Sequence, residues 1–429
     1  MRSKKPFSAG KSTFVIFLAL LLASAIVPSE AQAQKFKVLH AFHGSPTDGA
    51  IPEAQLLLDT AGNIYGTTGA GGTGGCQYGC GTAFKLDKNG KRVWLHSFNS
   101  KNGLVPMAGL MRDKAGNLYG TTVAGGDTRC YSSGCGTVFK LDKTGKETVL
   151  HKFHGDPDGQ FPEALLIEDA AGDLYGTTYM GGAFQSAGTV FRVDTKGKET
   201  VLYSFCSQAN CSDGQYPYPG VILGAAGSLY GVTTSGGASG AGEVFELDAT
   251  GALNVLYSFS GRSDGAGPSS VLVADAEGNL YGTTQGGGNG GCGGSGCGVV
   301  FELSPQSGGN WTERVLYVFC SLSNCADGQG PVAGPLVRDA AGNLYGTTYF
   351  GGASHNCNGV GCGTVFKLDP SGKETVLHSF TNAADGSFPW GGLVMDKAGS
   401  LYGMTEFGGD AKCIFGDAGG CGVVFKITP

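Results

Sequence analysis

Ile64-Tyr65-Gly66-Thr67-Thr68 returns along the chain as Leu118 to Thr122 and Leu174 to Thr178, then again from Leu229, Leu280, Leu344 and Leu401. Only Val232 and Met404 break the pattern, both at the fourth place. The tyrosines, at 65, 119, 175, 230, 281, 345 and 402, lie 54, 56, 55, 51, 64 and 57 residues apart. Seven copies at a period of about 55 mark a repeat architecture, a signal that outranks local propensity.

One whole unit can be read around the copy at Leu118. Leu110-Met111-Arg112-Asp113 is a short apolar strand, A. Asp113-Lys114-Ala115-Gly116-Asn117 is a tight polar turn, with glycine supplying the positive φ. Leu118 to Thr122 is strand B, followed by a loop containing Gly125-Gly126. Gly136 to Asp142 alternates apolar and polar, as strand C should. Lys143-Thr144-Gly145-Lys146 is a second tight turn, and Val149 to Phe153 is strand D. A longer loop, holding Asp158-Gly159-Gln160-Phe161-Pro162, leads to the next strand A. No stretch has room for a helix, so the chain reads as all-β. Four antiparallel strands repeated radially form the blade of a β-propeller.

Counting elements predicts how the ring closes. Strands C and D each occur seven times. The first D copy, Phe36 to Phe42, precedes any strand A, and the last unit stops after C. The first strand should therefore complete the last blade, with Val38 to Phe42 beside Val423 to Ile427. The expected fold is a seven-bladed β-propeller. An open β-solenoid fits less well, because its coils are usually shorter and it has no reason to split one unit between two termini.

Residues 1–33 read as a secretory signal peptide. Arg2, Lys4, Lys5 and Lys11 precede an apolar run from Phe14 to Ile26, and Ala31-Gln32-Ala33 is a small-residue cleavage site before Gln34. The apolar run is too short for a comfortable membrane span. The first cysteine is Cys76, so no lipid-modified cysteine is expected at the new N-terminus. Residues 34–429 then form one propeller domain, secreted or periplasmic, with no membrane span, expected to be a monomer. Removing the leader takes away four basic residues and one acidic, moving the net charge from −6 to −9. That acidity argues against nucleic acid or anionic membrane as a partner.

Fourteen cysteines fall into seven close pairs: Cys76/Cys80, Cys130/Cys135, Cys206/Cys211, Cys292/Cys297, Cys320/Cys325, Cys357/Cys362 and Cys413/Cys421. In an exported chain they read as local disulfides. Zinc would need four converging ligands, and the histidines are not placed to help, so no metal and no cofactor is expected.

In an antiparallel blade the A–B and C–D turns share one face, and the B–C and D–A loops share the other. The first set is tight; the second is long, variable and holds every cysteine pair. Variable loops on a rigid scaffold are the usual place for function. Gly-Asn-Leu-Tyr-Gly-Thr-Thr, then Gly-Gly, then Gly-Thr-Val-Phe-Lys-Leu-Asp and Val-Leu-His-Ser-Phe together resemble the GloVer tandem repeat of exported bacterial proteins. The match covers essentially all of the mature chain, and the spacing is similar to NHL-type propellers. The resemblance implies a propeller fold and brings no catalytic residue with it. Members often continue into a C-terminal anchor; its absence here favours a soluble product.

Several positions are candidates for chemistry. Asp48, Asp158, Asp213, Asp264, Asp327 and Asp385 lead a D-G-x-x-P motif in the D–A loops, with Asn102 in the second copy. Each loop offers too few carboxylates for calcium, so an Asx-type turn is the better reading. One strand D position holds His40, His96, His151 and His378, or Tyr203, Tyr257 and Tyr317. A site that takes His or Tyr indifferently is packing rather than catalysis. The strand B tyrosines read as an inter-blade packing ladder, and the glycine after each as a close approach between neighbouring sheets.

The residue after the motif's proline is the most informative. It reads Glu53, Met107, Glu163, Tyr218, Ser269, Val332 and Trp390. A repeat that keeps its scaffold and varies one mouth position behaves like a binding site. Glu53 and Glu163 could converge on a ligand, or act as acid and base. Tyr218 and Trp390, helped by Tyr216 and Phe388, are suited to stack on a sugar or aromatic group. A binding scaffold for glycan or protein is preferred. An enzyme acting on a carbohydrate or lactone at the shaft mouth and a structural cell-surface role are the alternatives. Several acids with shifted pKa in the shaft would favour the enzyme.

Overall fold

The computed structural model describes residues 1, 34–130, 132–288, 291–332, 334–413 and 419–428. The expected leader lies outside the described residues, Met1 apart. Among those described, no helix is long and apolar enough to cross a membrane. Among the described residues seven antiparallel sheets are each built on one copy of the repeat, a seven-bladed β-propeller, and a further two-stranded ladder pairs Gly49–Ala50 with Ala70–Gly71. Blade 2 shows the plan: Met111–Arg112, Leu118–Thr122, Thr137–Leu141 and Glu147–Lys152. The short helical turns, such as Ala209–Cys211, are 3-10 segments of three residues in loops and turns.

Strand A is shorter than the sequence suggests, two residues in most blades rather than four. Near the axis the inner segments leave their own ladders and meet those of adjacent blades, as where Leu165 bridges Gly220. In blades 5 and 6 the preceding loop pairs as well, so that Ala266–Pro268 and Gln329–Pro331 lie on extended second strands. The ring closes as expected. Lys35–Ala41 pairs antiparallel with Val423–Thr428, with Val38 opposite Phe425 and Ala41 opposite Val423.

Blades are joined by phenylalanines. The residue ending strand D packs edge-to-face on the strand C phenylalanine of the next blade. Phe42 meets Phe84 at 5.3 Å between ring centroids, Phe98 meets Phe139 at 4.9 Å, and Phe153 meets Phe191 at 5.1 Å. The same contact recurs at the other four junctions, ending with Phe380 on Phe425. These rings are among the largest fully buried side chains.

The strand B glycine serves this packing, and its role differs from the one expected. It does not make room for a neighbouring sheet. Gly120 lies opposite Phe139 of its own blade, and a Cβ there would sit 2.7 Å from Phe139 Cζ and 3.0 Å from Leu110 Cδ2. The space belongs to the strand C phenylalanine that faces the junction.

The tyrosine beside it packs in the core and also fastens the tight-turn face. Tyr65, Tyr119, Tyr175, Tyr281, Tyr345 and Tyr402 each donate a hydroxyl hydrogen bond to the first aspartate of their A–B turn, at 2.9–3.1 Å. Blade 4 has Gly224 in place of that aspartate, and Tyr230 donates to Glu246 instead, at 3.2 Å.

The D-G aspartates do not form the expected Asx-type turns; their carboxylates instead accept from N–H groups earlier in the same loop. Asp158 accepts from the His154 backbone N–H at 2.9 Å, and Asp213 from that of Ser207 at 2.8 Å. Their second partner is the His/Tyr position of strand D. Tyr203 donates to Asp213 at 2.7 Å, and His40 Nε2 lies 3.0 Å from Asp48. His and Tyr alternate there because both bring a donor to the same carboxylate. Asn102 also accepts a loop N–H, from Asn99 at 3.1 Å, while its amide donates to Glu147 of the next blade, which His96 Nε2 meets at 3.0 Å.

Two expectations follow. Gly120→Ala should cost about 1–3 kcal/mol by overpacking, measured by urea unfolding, and Phe139→Leu in the same chain should recover part of it; additive losses would refute the contact. Deleting residues 34–41 should replace one cooperative melt by an earlier, broader one, because blade 7 loses its outer strand. Unchanged melting would mean that the ring does not rely on that strand.

Candidate functional site

The D–A loop carries one backbone feature in every blade. The residue two places before the mouth position has positive φ: Ile51 57°, Val105 58°, Phe161 57°, Tyr216 61° and Phe388 57°, with Gly267 and Gly330 at 62° and 60°. This region suits glycine, and β-branched residues such as Ile51 and Val105 are strained in it, at about 1–3 kcal/mol each. Five blades keep a bulky side chain where glycine would relax the loop.

The disulfides hold that strained residue. All seven expected pairs are bonded: Cys76–Cys80, Cys130–Cys135, Cys206–Cys211, Cys292–Cys297, Cys320–Cys325, Cys357–Cys362 and Cys413–Cys421. In the B–C loops the second cysteine's carbonyl accepts from the strained residue's N–H. Cys80 takes Val105 at 2.9 Å, Cys135 takes Phe161 at 3.0 Å and Cys362 takes Phe388 at 2.9 Å. Seven disulfides belong to an oxidising compartment outside the cytoplasm.

The strained carbonyl in turn accepts from the residue that follows Thr-Thr in strand B. Phe161 takes Tyr179 N–H at 3.0 Å, and Phe388 takes Glu406 N–H at 3.1 Å. Each blade therefore brings three positions to the loop-rich end of the shaft, with glycine at one of them in blades 1, 5 and 6. Blade 3 presents Phe161, Glu163 and Tyr179; blade 7 presents Phe388, Trp390 and Glu406.

The expected site residues do come together, in two groups. Glu53, Glu163, Tyr218 and Trp390 line one narrow axial cavity of about 40 Å³, room for a few waters at most. Tyr216 and Phe388 stand beside it in two aromatic panels of matching geometry. Tyr179 stacks on Tyr216 at 5.0 Å and meets Tyr218 edge-on at 6.1 Å. Tyr349 stacks on Phe388 at 4.9 Å and meets Trp390 edge-on at 5.2 Å. Tyr218 and Trp390, one from each panel, both line the axial cavity.

Three carboxyls lie between the panels. Burial, then the charges of Glu406 and Glu163, pushes Glu53 up to about 8. Burial alone pushes Glu163 up to about 7. Burial also raises Glu406, against hydrogen bonds from Tyr349 and Glu53 that lower it. Burial thus favours the protonated form of Glu53 beside Glu406, whose Oε2 accepts from Tyr349 at 2.7 Å. Ser269 and Val332 are buried and contribute no polar group to the mouth.

Tyr179, Tyr349 and Glu406 were not singled out from the sequence. A signal existed, because the residue after Thr-Thr reads Gly69, Val123, Tyr179, Thr234, Gln285, Tyr349 and Glu406. It varies as freely as the position after the proline.

No curated protein matches the sequence. Among solved structures, the extracellular domain of a hybrid two-component system from B. thetaiotaomicron superposes over 92% of this chain with a TM-score of 0.52 at 14% identity. This chain spans only 41% of that structure, and the likeness shows the fold alone. A gluconolactonase from Xanthomonas campestris covers 68% of this chain and is itself covered over 78%, with a TM-score of 0.40 at 15% identity, too low to support any argument. The sequence model of the Gloeobacter/Verrucomicrobia repeat matches residues 25–185, 74–295 and 169–413. These overlapping spans run from 25 to 413, most of the chain, and the chain belongs to the Gloeobacter/Verrucomicrobia repeat family.

Proposed function

We propose that this propeller is an exported binding protein whose loop-rich shaft mouth takes the end of a neutral glycan. One observation supports this above the others: two matching aromatic panels flank three carboxyls, of which Glu53 and Glu163 are raised to about 8 and about 7 and so keep a proton well above the ordinary carboxylate range. Aromatic faces suit the apolar side of a sugar ring. A protonated carboxyl donates a hydrogen bond and an ionised one accepts, so the trio suits hydroxyl groups. The small axial cavity keeps a ligand at the mouth. The retained strain in five loops points the same way, since strain of this kind collects at ligand clamps. The seven disulfides support export, with the leader cut before Gln34 and release to the periplasm or beyond.

The raised carboxyls also favour a second reading. An acid that titrates near the working pH is suited to proton transfer, so a bound carbohydrate or lactone could be turned over, with Glu53 as acid.

A glycan array with the mature protein should find a ligand, and Trp390→Ala should weaken it at least tenfold, about 1.4 kcal/mol. An empty array, or binding indifferent to Trp390→Ala, would overturn the site. Ligand recovered unchanged supports binding; ligand converted by the native chain but not by Glu53→Gln supports turnover.

The same acids set a pH dependence. Glu53 and Glu163 have folded values above the ordinary 4.5, at about 8 and about 7. The folded chain therefore holds protons that the unfolded chain has released. Their stabilisation is complete below about 4.5 and is lost as pH rises through 7 to 8. Melting temperature should fall between pH 5 and pH 8 by at least about 2 °C, and Glu53→Gln should flatten the slope. A melting temperature that rises across that range would show that these carboxyls are ionised.

A further inference from the structure

The seven blade junctions act as controls for one another. Each brings together the His/Tyr of strand D, the loop Asp or Asn, and the first residue of the next blade's strand D. That third position faces the end of strand C, as Glu199 faces Val193 and Arg92 faces Leu86.

At several of the other junctions the trio holds only one carboxylate. Between blades 7 and 1, Arg92 reaches Asp48 at 3.2 Å beside His40. Between blades 1 and 2 the loop residue is the amide Asn102, which donates to Glu147. Between blades 6 and 7 the third residue is Phe36, stacked on the His378 ring at 3.8 Å. Where two carboxylates meet after blades 4 and 5, the strand D residue is a tyrosine hydroxyl, Tyr257 or Tyr317, donating to Asp264 or Asp327.

The junction between blades 2 and 3 differs from all of these. It brings an imidazole, His151, to two carboxylates, Asp158 and Glu199, and Arg129, the cation that acts on Asp158 from a distance, is paired with Asp127 at 2.7 Å. One ligand atom from each of the trio lies within 4.8 Å of the other two. His151 Nε2 is 3.3 Å from Asp158 Oδ2, longer than the other three His–carboxylate contacts of this position, at 3.0, 3.0 and 3.1 Å. Two ligands about 2.0–2.1 Å from a tetrahedral ion stand about 3.3 Å apart. Asp158 Oδ1 and Glu199 Oε1 are buried with no donor within reach. The His154 backbone N–H holds Asp158 in place, and an open hollow of about 500 Å³ lies over the trio.

We infer that His151, Asp158 and Glu199 form a site for one divalent transition-metal cation, with a fourth position open to water. One imidazole and two carboxylates suit zinc or manganese, and three protein ligands plus water is a common zinc arrangement. The ion would tie strand D of blade 2 to strand D of blade 3 through the loop between them. His151 reads as mere packing in the sequence because Glu199 reaches it only from the next blade.

The test is zinc titration by calorimetry on untagged, chelator-treated mature protein. No reductant is added, so Cys292–Cys297 and Cys320–Cys325, whose sulfurs converge within 4.8 Å, stay paired. One zinc should bind per chain and raise the melting temperature. Glu199→Gln should weaken zinc at least tenfold, while Glu313→Gln, the same position two blades on, should leave it unchanged. His151→Tyr installs the side chain found at sister junctions, so it should fold and lose zinc; cobalt in place of zinc should give a visible absorption band that this variant lacks. No saturable uptake would mean that the carboxylates share a proton only. That result, or uptake undiminished in both Glu199→Gln and His151→Tyr, overturns the site.

Discussion

At each junction the edge of one phenylalanine meets the face of another, the one aromatic contact that all seven junctions share. Such a pair adds about 0.5–1.5 kcal/mol beyond the burial of its surface. Its direction matters more than its size. An edge-to-face contact sets the angle between two sheets, and seven junctions must share one angle for the ring to meet itself. The centroid distances stay within 4.9–5.3 Å around the whole circle. Other constant features serve this contact. The strand B glycine clears space for the ring, and its tyrosine clips the turn on the opposite face.

The architecture was legible in the sequence because repetition averages out local accidents. Seven tyrosines in one register, with an outer strand at the wrong end, fix both blade number and closure. Cysteine pairing was legible for a similar reason: each partner lies within eight residues of the other. What crosses between blades was not legible. Gly120 could not reveal that its neighbour is Phe139 of its own sheet rather than a residue of the next. Glu199 lies 41 residues beyond Asp158 in sequence, yet shares a cluster with it.

The mouth was half legible. Variation after the proline exposed Glu53, Glu163, Tyr218 and Trp390, because a position that changes on a fixed frame stands out. Their partners Tyr179, Tyr349 and Glu406 sit after a motif so regular that attention stops at its last threonine. The physical link is a hydrogen bond from each of their N–H groups to a loop carbonyl or extended pairing of that same segment. Only coordinates show that strand B and the loop before strand A end at one rim. The frame also explains how diversity is tolerated there. Scaffold positions carry the stability, so rim side chains can change with little effect on the ring.

Closure by the opening strand bears on how such a chain matures during export. Lys35–Ala41 is among the first ordered segments to emerge during translocation, yet its partner Val423–Thr428 comes nearly four hundred residues later. Until then that strand has an open edge, and the first blade lacks a lasting neighbour on one side. The short cysteine loops need no such wait, since each can oxidise as soon as its own few residues are through. Local crosslinks can therefore protect half-delivered blades from mispairing while the final fastening is still to come.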